Sequence, residues 1–166
     1  VSSLLSAWGE VAIPERVIPE IKKILWKDIP PQHVITIDNR DAFVSMALPP
    51  GTLFVHAPLA ETTMAEQFLR ALTDNVEWSQ FGDISPKGIK LAAEFAARLQ
   101  RPLAFYLPEN WMDYLRLLGR ELISDEVWPL SVLSREQQIS LQFLIENRRK
   151  LPQEVLVYAK NWLHIV

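Results

Sequence analysis

The sequence predicts an α/β fold: a single compact domain with a mostly parallel sheet flanked by helices, preceded by an N-terminal helical arm. Three observations carry this reading. Short runs rich in β-branched and aromatic residues alternate with longer stretches whose apolar residues recur at helical spacing. Pro and small polar residues stand at the junctions, where they start and stop elements. The 166 residues contain no internal repeat, low-complexity tract or linker, so one folding unit is expected, with residues 1–31 as the arm and 32–166 as the α/β domain.

The arm opens with a short helix within Val1–Ala12, bearing Leu4, Leu5 and Trp8. Pro14 or Pro19 starts a clearer helix, with Val17, Ile18, Ile21, Ile24 and Leu25 on one stripe. Asp28-Ile-Pro-Pro ends it, because residues before proline avoid the helical region. His33–Ile37 reads as the first strand. Asp38 or Asn39 then caps a short helix, Arg40–Ala47. A Pro-Pro-Gly turn leads to a second strand, Thr52–Val55, and a sharp corner at His56-Ala57-Pro58. The following helix carries Met64, Phe68 and Leu72, and Val76–Phe81 is a third strand or a loop bearing Trp78.

Ser85-Pro86 starts a helix in which Ile89, Leu91, Ala92, Phe95, Ala96 and Leu99 form a broad apolar face. Pro102 and Pro108 bracket a short strand, Leu103–Leu107, and Glu109–Leu122 is a helix with Trp111, Tyr114, Leu115 and Leu118 inward. Trp128–Leu133 is ambiguous, with a short strand as one reading. Ser134-Arg-Glu-Gln137 has the pattern of a capping box for a helix carrying Ile139, Phe143, Leu144 and, at its far end, Leu151. Arg148, Arg149 and Lys150 suit its last turn, where cations face the negative end of the helix dipole. After Pro152, the residues Val155, Tyr158, Ala159, Trp162 and Leu163 fit a helix.

Composition narrows the function. A net charge of −3 lacks the basic footprint that phosphate backbones require, so no nucleic-acid partner is expected. The chain has no Cys, which removes disulfides and Cys-ligated metals and fits a reducing compartment. No apolar run reaches the roughly 20 residues of a membrane span. Residues 1–13 lack the basic start and apolar block of a signal peptide, so a cytoplasmic location is expected.

Catalytic and cofactor patterns are missing one after another. Pro49–Ala65 has the outline of a phosphate-binding loop, but His56–Glu61 contains no glycine for converging backbone N–H groups, and Glu61 stands where a lysine is needed. The plainer reading is a strand-to-helix corner capped by Thr62 or Thr63. His33, His56 and His164 form no metal-binding pair. No nucleophile elbow surrounds Ser45, Ser79, Ser85, Ser131 or Ser134. Asp125-Glu126 are chain neighbours whose side chains diverge. No cofactor, metal or catalytic residue is therefore assigned.

What remains is an aromatic-rich domain with 6 Trp, a residue that fills cores and also concentrates at binding hot spots. Trp78, Phe81, Tyr106 and Trp111 border the predicted loop and strand edge around the central helices, and they are the candidates for a protein-binding surface.

One resemblance points the same way. Val34-Ile-Thr-Ile-Asp38, Leu91–Leu99, Pro102-Leu-Ala-Phe-Tyr-Leu-Pro108, Trp111–Leu122 and Leu133-Ser-Arg-Glu-Gln137 together resemble the effector adaptor (chaperone) family of bacterial type VI secretion, over about His33 to Leu163. The pattern departs where the family has Asp before the proline, here Leu107, and Trp-Gly before the central helix, here Trp78-Ser79. The resemblance implies a non-enzymatic adaptor that holds a secreted effector for loading. The expected function is protein binding as an adaptor or chaperone. A degenerate nucleotide-binding domain acting as a scaffold is one alternative, and an enzyme with an unrecognised site is another.

Overall fold

The computed structural model describes residues 13, 15–24, 26, 29–46, 50–60, 63–72, 76–107, 111, 118–123, 125–155 and 157. Three strands form a parallel sheet: β1 (His33–Ile37), β2 (Thr52–His56) and β3 (Glu77–Phe81), in the order β2-β1-β3. Ile35 of β1 lies between Phe54 of β2 and Ser79 of β3. Beyond β3 the expected strand at 103–107 is reduced to one parallel bridge. Gln80 donates its N–H to Ala104 O at 2.8 Å and accepts from Tyr106 N–H at 2.9 Å. Pro102 precedes this bridge, and the Gln137 side chain takes the Leu103 carbonyl at 2.8 Å.

Helices join the strands and cover both faces, the arrangement a parallel sheet requires. α1 (Arg40–Ser45) follows β1, α2 (Thr63–Arg70) follows β2, and α3 (Pro86–Leu99) follows β3. α4 (Arg135–Glu146) comes later in the chain. Because side chains alternate along a strand, Val34 and Trp78 point to one face and Ile35, Ile37 and Phe81 to the other. The first face packs with Ala65 and Leu69 of α2 and with Ala92, Phe95 and Leu99 of α3. The second packs with Ala42 of α1, Leu141 and Leu144 of α4, Trp128 and Leu151. α/β architecture and a mostly parallel sheet flanked by helices are thus as the sequence predicts.

Local chemistry sets the boundaries. Asn39 caps α1, its Oδ1 accepting from Asp41 N at 2.7 Å and Ala42 N at 3.0 Å. Gly51 takes φ of +70° in the turn before β2, a conformation open to glycine without strain. Ser134 and Gln137 form the full capping box of α4.

Several expectations need correction. In the arm, a 3-10 helix spans Glu15–Glu20 with Pro19 inside it, and the helical stripe does not continue through Ile21–Ile24. Ile24 and Trp26, neither of them in a helix, instead pack against the α2–α3 face. Trp128–Leu133 contains a 3-10 turn, Leu130–Val132, rather than a strand. Arg120–Glu121, expected at the end of a helix, forms β4 and pairs antiparallel with β5 (Arg149–Lys150). The basic triplet therefore lies past the end of α4, whose chain turns at Asn147 and at Arg148 with φ of +49°. Leu151 pairs with Ile84 instead of ending α4. The expected helix at Val1–Ala12 and most of those at 109–122 and 153–163 lie outside the described residues.

Candidate functional site

From the carboxyl end of β1 the chain goes to β2 on one side, and from that of β3 it goes to the bridge at Phe105 on the other, so the connections leave the adjacent ends of β1 and β3 in opposite directions. Open α/β sheets bind ligands in the crevice at such a switch point. Here the crevice is built by Asp38 and Asn39 after β1 and by Gly82 and Asp83 after β3, with Asp38 N donating to Phe81 O at 3.3 Å. It is filled by the chain itself. Leu151 and Ile84 exchange two backbone hydrogen bonds of 3.0 Å, and this carries Gln153 over the strand ends. Gln153, 1% exposed, donates its backbone N–H to Asp83 Oδ1 at 2.8 Å. Its side-chain amide donates to Phe81 O at 2.9 Å and accepts from Asn39 N at 3.2 Å. Glu154 Oε1 accepts from Asn39 Nδ2 at 2.8 Å.

The two aspartates are each committed to backbone amides, Asp38 Oδ1 accepting from Leu59 N at 2.7 Å. Among the described residues, no three His, Asp or Glu converge to hold a metal ion. The Leu59 bond also bears on the phosphate-loop outline, since it occupies an amide at the His56–Ala60 corner. A nucleotide scaffold of that type places the Thr52–Val55 strand centrally. In the described sheet this strand is at an edge and β1 is central.

A second concavity lies around the amino halves of β1 and β3. It is a cleft of about 600 Å³ whose lining includes His33, Glu77, Ser79, Arg101 and Tyr106. His33 Nε2 and Ser79 Oγ share a hydrogen bond of 2.9 Å. Ser79 is 3% exposed, so this bond satisfies a buried hydroxyl while the half-buried imidazole reaches the cleft. Glu77 is the register partner of His33 and is exposed. Arg101 spends one guanidinium N–H on Val76 O. The pair spans 46 residues, and only the β1–β3 register brings it together.

No family model and no curated protein matches this sequence.

The predicted rings divide. Trp78 is 7% exposed and stacks edge-on against Phe95, with centroids 5.9 Å apart; Phe81 is 1% exposed. Both are core residues and offer no exposed ring to a partner, because β3 is covered on both faces. Tyr106 is half-buried, edge-on to Phe81 at 6.0 Å, and Trp111 is half-buried against the same cluster.

The exposed apolar groups lie elsewhere. Ile123 is 97% exposed, Val127 86% and Ile139 64%, and Leu118, Leu130 and Val132 are also exposed. The surface arm at 120–133 carries Ile123, Val127, Leu130 and Val132 and is anchored at several points, while Ile13, Val17, Ile29 and Val44 are exposed in the first part of the chain. Leu122 N donates to Arg148 O at 2.8 Å, and the Gln138 side chain donates to Leu130 O and Leu133 O at 2.9 and 3.1 Å. Trp128 is buried in the core at its base. Sequence reasoning missed this surface. The signal for it was a conflict: Ile123, Val127 and Leu130 recur at i, i+4 and i+7, but Pro129 inside the stretch argues against a helix that would bury them.

Proposed function

We propose that the domain is a protein-binding module, of the adaptor or chaperone kind, that presents its 120–133 arm and the adjoining face of α4 to another protein. The observation that carries this reading is the exposure of Ile123, Val127, Leu130 and Val132 along one segment, with Ile139 exposed beside Gln138, whose side chain bonds that segment at Leu130 O and Leu133 O. Exposed apolar groups grouped together mark interaction sites, whereas scattered single ones do not. The hydrogen bonds that hold the arm mean that little ordering entropy is lost on binding, which favours affinity. Asp125, Glu126, Arg135 and Glu136 are exposed in the same stretch of chain and could supply the polar rim of a non-obligate interface. Loading of a secreted effector is the specific form suggested by the family resemblance.

The test is site-specific photo-crosslinking in the native host, with a benzophenone residue at Val127 or Ile139 and, as a control, at exposed Lys90 on α3. The expected result is one protein crosslinked from Val127 and Ile139 but not from Lys90, and lost in a Val127→Asp/Ile139→Asp variant with a native circular dichroism spectrum. Equal crosslinking from all three positions, or none from any, sinks the reading.

A further inference from the structure

The cleft beside the amino half of β3 opens where its neighbouring chain peels away. Gln80 is bonded on its outer side through both backbone groups, to Ala104 O and from Tyr106 N. Before Ala104 the chain leaves the sheet. Pro102 has no N–H to give, and the Gln137 side chain takes Leu103 O. In a parallel ladder alternate residues bond to the same side, so Trp78 turns its backbone N–H and C=O the way Gln80 does. No backbone hydrogen bond among the described residues engages either group. Trp78 lines the cleft, whose volume of about 600 Å³ lies in the range of small-molecule sites.

The charges in this cleft are unlike and unpaired. Arg101 Nη1 donates to Val76 O, which fixes the guanidinium at the wall. Its Nε–Nη2 edge, the edge that grips a carboxylate with two parallel bonds, is engaged by no described residue. Glu77 follows Val76 and also lines the cleft, yet no ion pair joins it to Arg101 or to any other described residue. His33, its register partner, is held at Nε2 by Ser79, and its Nδ1 has no partner among the described residues. Phe105 and Tyr106 add an apolar wall.

We propose that this cleft binds a small zwitterion, an α-amino acid with an apolar side chain. The open edge of Arg101 takes the carboxylate, Glu77 takes the ammonium, and the side chain lies against Phe105 and Tyr106. A simple anion would meet Glu77 unopposed, and a simple cation would meet Arg101. A ligand carrying both charges satisfies both. An α-amino acid holds its two charges on one carbon, which matches a guanidinium tied to the carbonyl of residue 76 and a carboxylate on residue 77. Glu77 is exposed, so it turns toward the ammonium without disturbing the core.

The test is titration calorimetry of the whole chain with L-phenylalanine and L-leucine, each beside its deaminated and decarboxylated analogues (hydrocinnamate and phenethylamine, isocaproate and isoamylamine). The expected result is saturable binding of at least one amino acid. Its two analogues are expected to bind about tenfold or more weakly, the factor that follows loss of a charged hydrogen-bonding partner. Glu77→Gln is expected to keep a native circular dichroism spectrum and to weaken the amino acid but not its deaminated analogue. Arg101→Lys, which keeps the charge without the fork, is expected to weaken the amino acid but not its decarboxylated analogue. Failure of both amino acids to bind at millimolar concentration overturns the proposal. So does an analogue that binds as tightly as its parent, or a Glu77→Gln variant with unchanged affinity and selectivity.

Discussion

Thr36 sits at 0% exposure in the middle of β1 and ties two neighbours on β3 to it. Its hydroxyl donates to the Gln80 side-chain oxygen and accepts from Trp78 Nε1 at 3.0 Å, while Gln80 Nε2 donates to Phe81 O at 3.1 Å. Thr36→Val keeps the shape but leaves a buried indole N–H and a buried amide oxygen without this partner. The expected cost is about 1–3 kcal/mol. It would appear as a lower urea midpoint at unchanged slope, and an unchanged midpoint would contradict the network's role. The same contacts explain why the sequence misplaced Trp78 and Phe81. Glu77-Trp-Ser-Gln-Phe81 mixes polar and aromatic residues in the manner of a border strand. A strand covered on both faces buries such residues when its neighbours supply their partners, and those partners lie more than 40 residues away.

At the scale of elements, the legible features are those whose chemistry is local. Ser85 caps α3 with φ of −144°, its Oγ accepting from Gly88 N at 3.0 Å, and Pro86 follows in the first turn. A Cβ on Gly88 would come within 2.2 Å of Asp83 O, so the turn also depends on that glycine. Ser85→Ala is expected to cost about 1 kcal/mol, read as a lowered melting temperature with preserved helicity at low temperature. Asn39, Ser85 and Ser134 each announce a helix within three residues, and the sequence placed all three helix starts. The 3-10 turn at Leu130–Val132 and the β4–β5 ribbon gave no such notice. Bonds from Gln138 and pairing with residues 149–150 hold them, and no neighbour-to-neighbour pattern encodes those contacts. The arm surface and the His33–Ser79 pair were illegible for the same reason.

For the whole molecule, the decisive feature is the closure of the switch-point crevice by Gln153. Gln153→Ala removes one of the donors to Phe81 O and the side-chain acceptor of Asn39 N together. Amide exchange is expected to rise at Asn39 and through 151–155 while the β1–β3 ladder stays protected, because opening at this site is local. Uniform acceleration across the sheet would show instead that the segment is part of the global unfolding unit. The described part of the N-terminal arm packs on the opposite face, through Ile24 and Trp26, so the sheet is held from both ends of the chain.

That closure also has a timetable. Asn39 and Gln153 are 114 residues apart, so on a ribosome adding about 5–20 residues per second the first half of the crevice waits roughly 6–23 s for the second. From the synthesis of β3 until that of Gln153, the nascent chain presents the carboxyl ends of β1 and β3 without their cover. Stalling translation just before Gln153 would hold the protein in that state, and a factor that attends to this domain during synthesis would find its opening there.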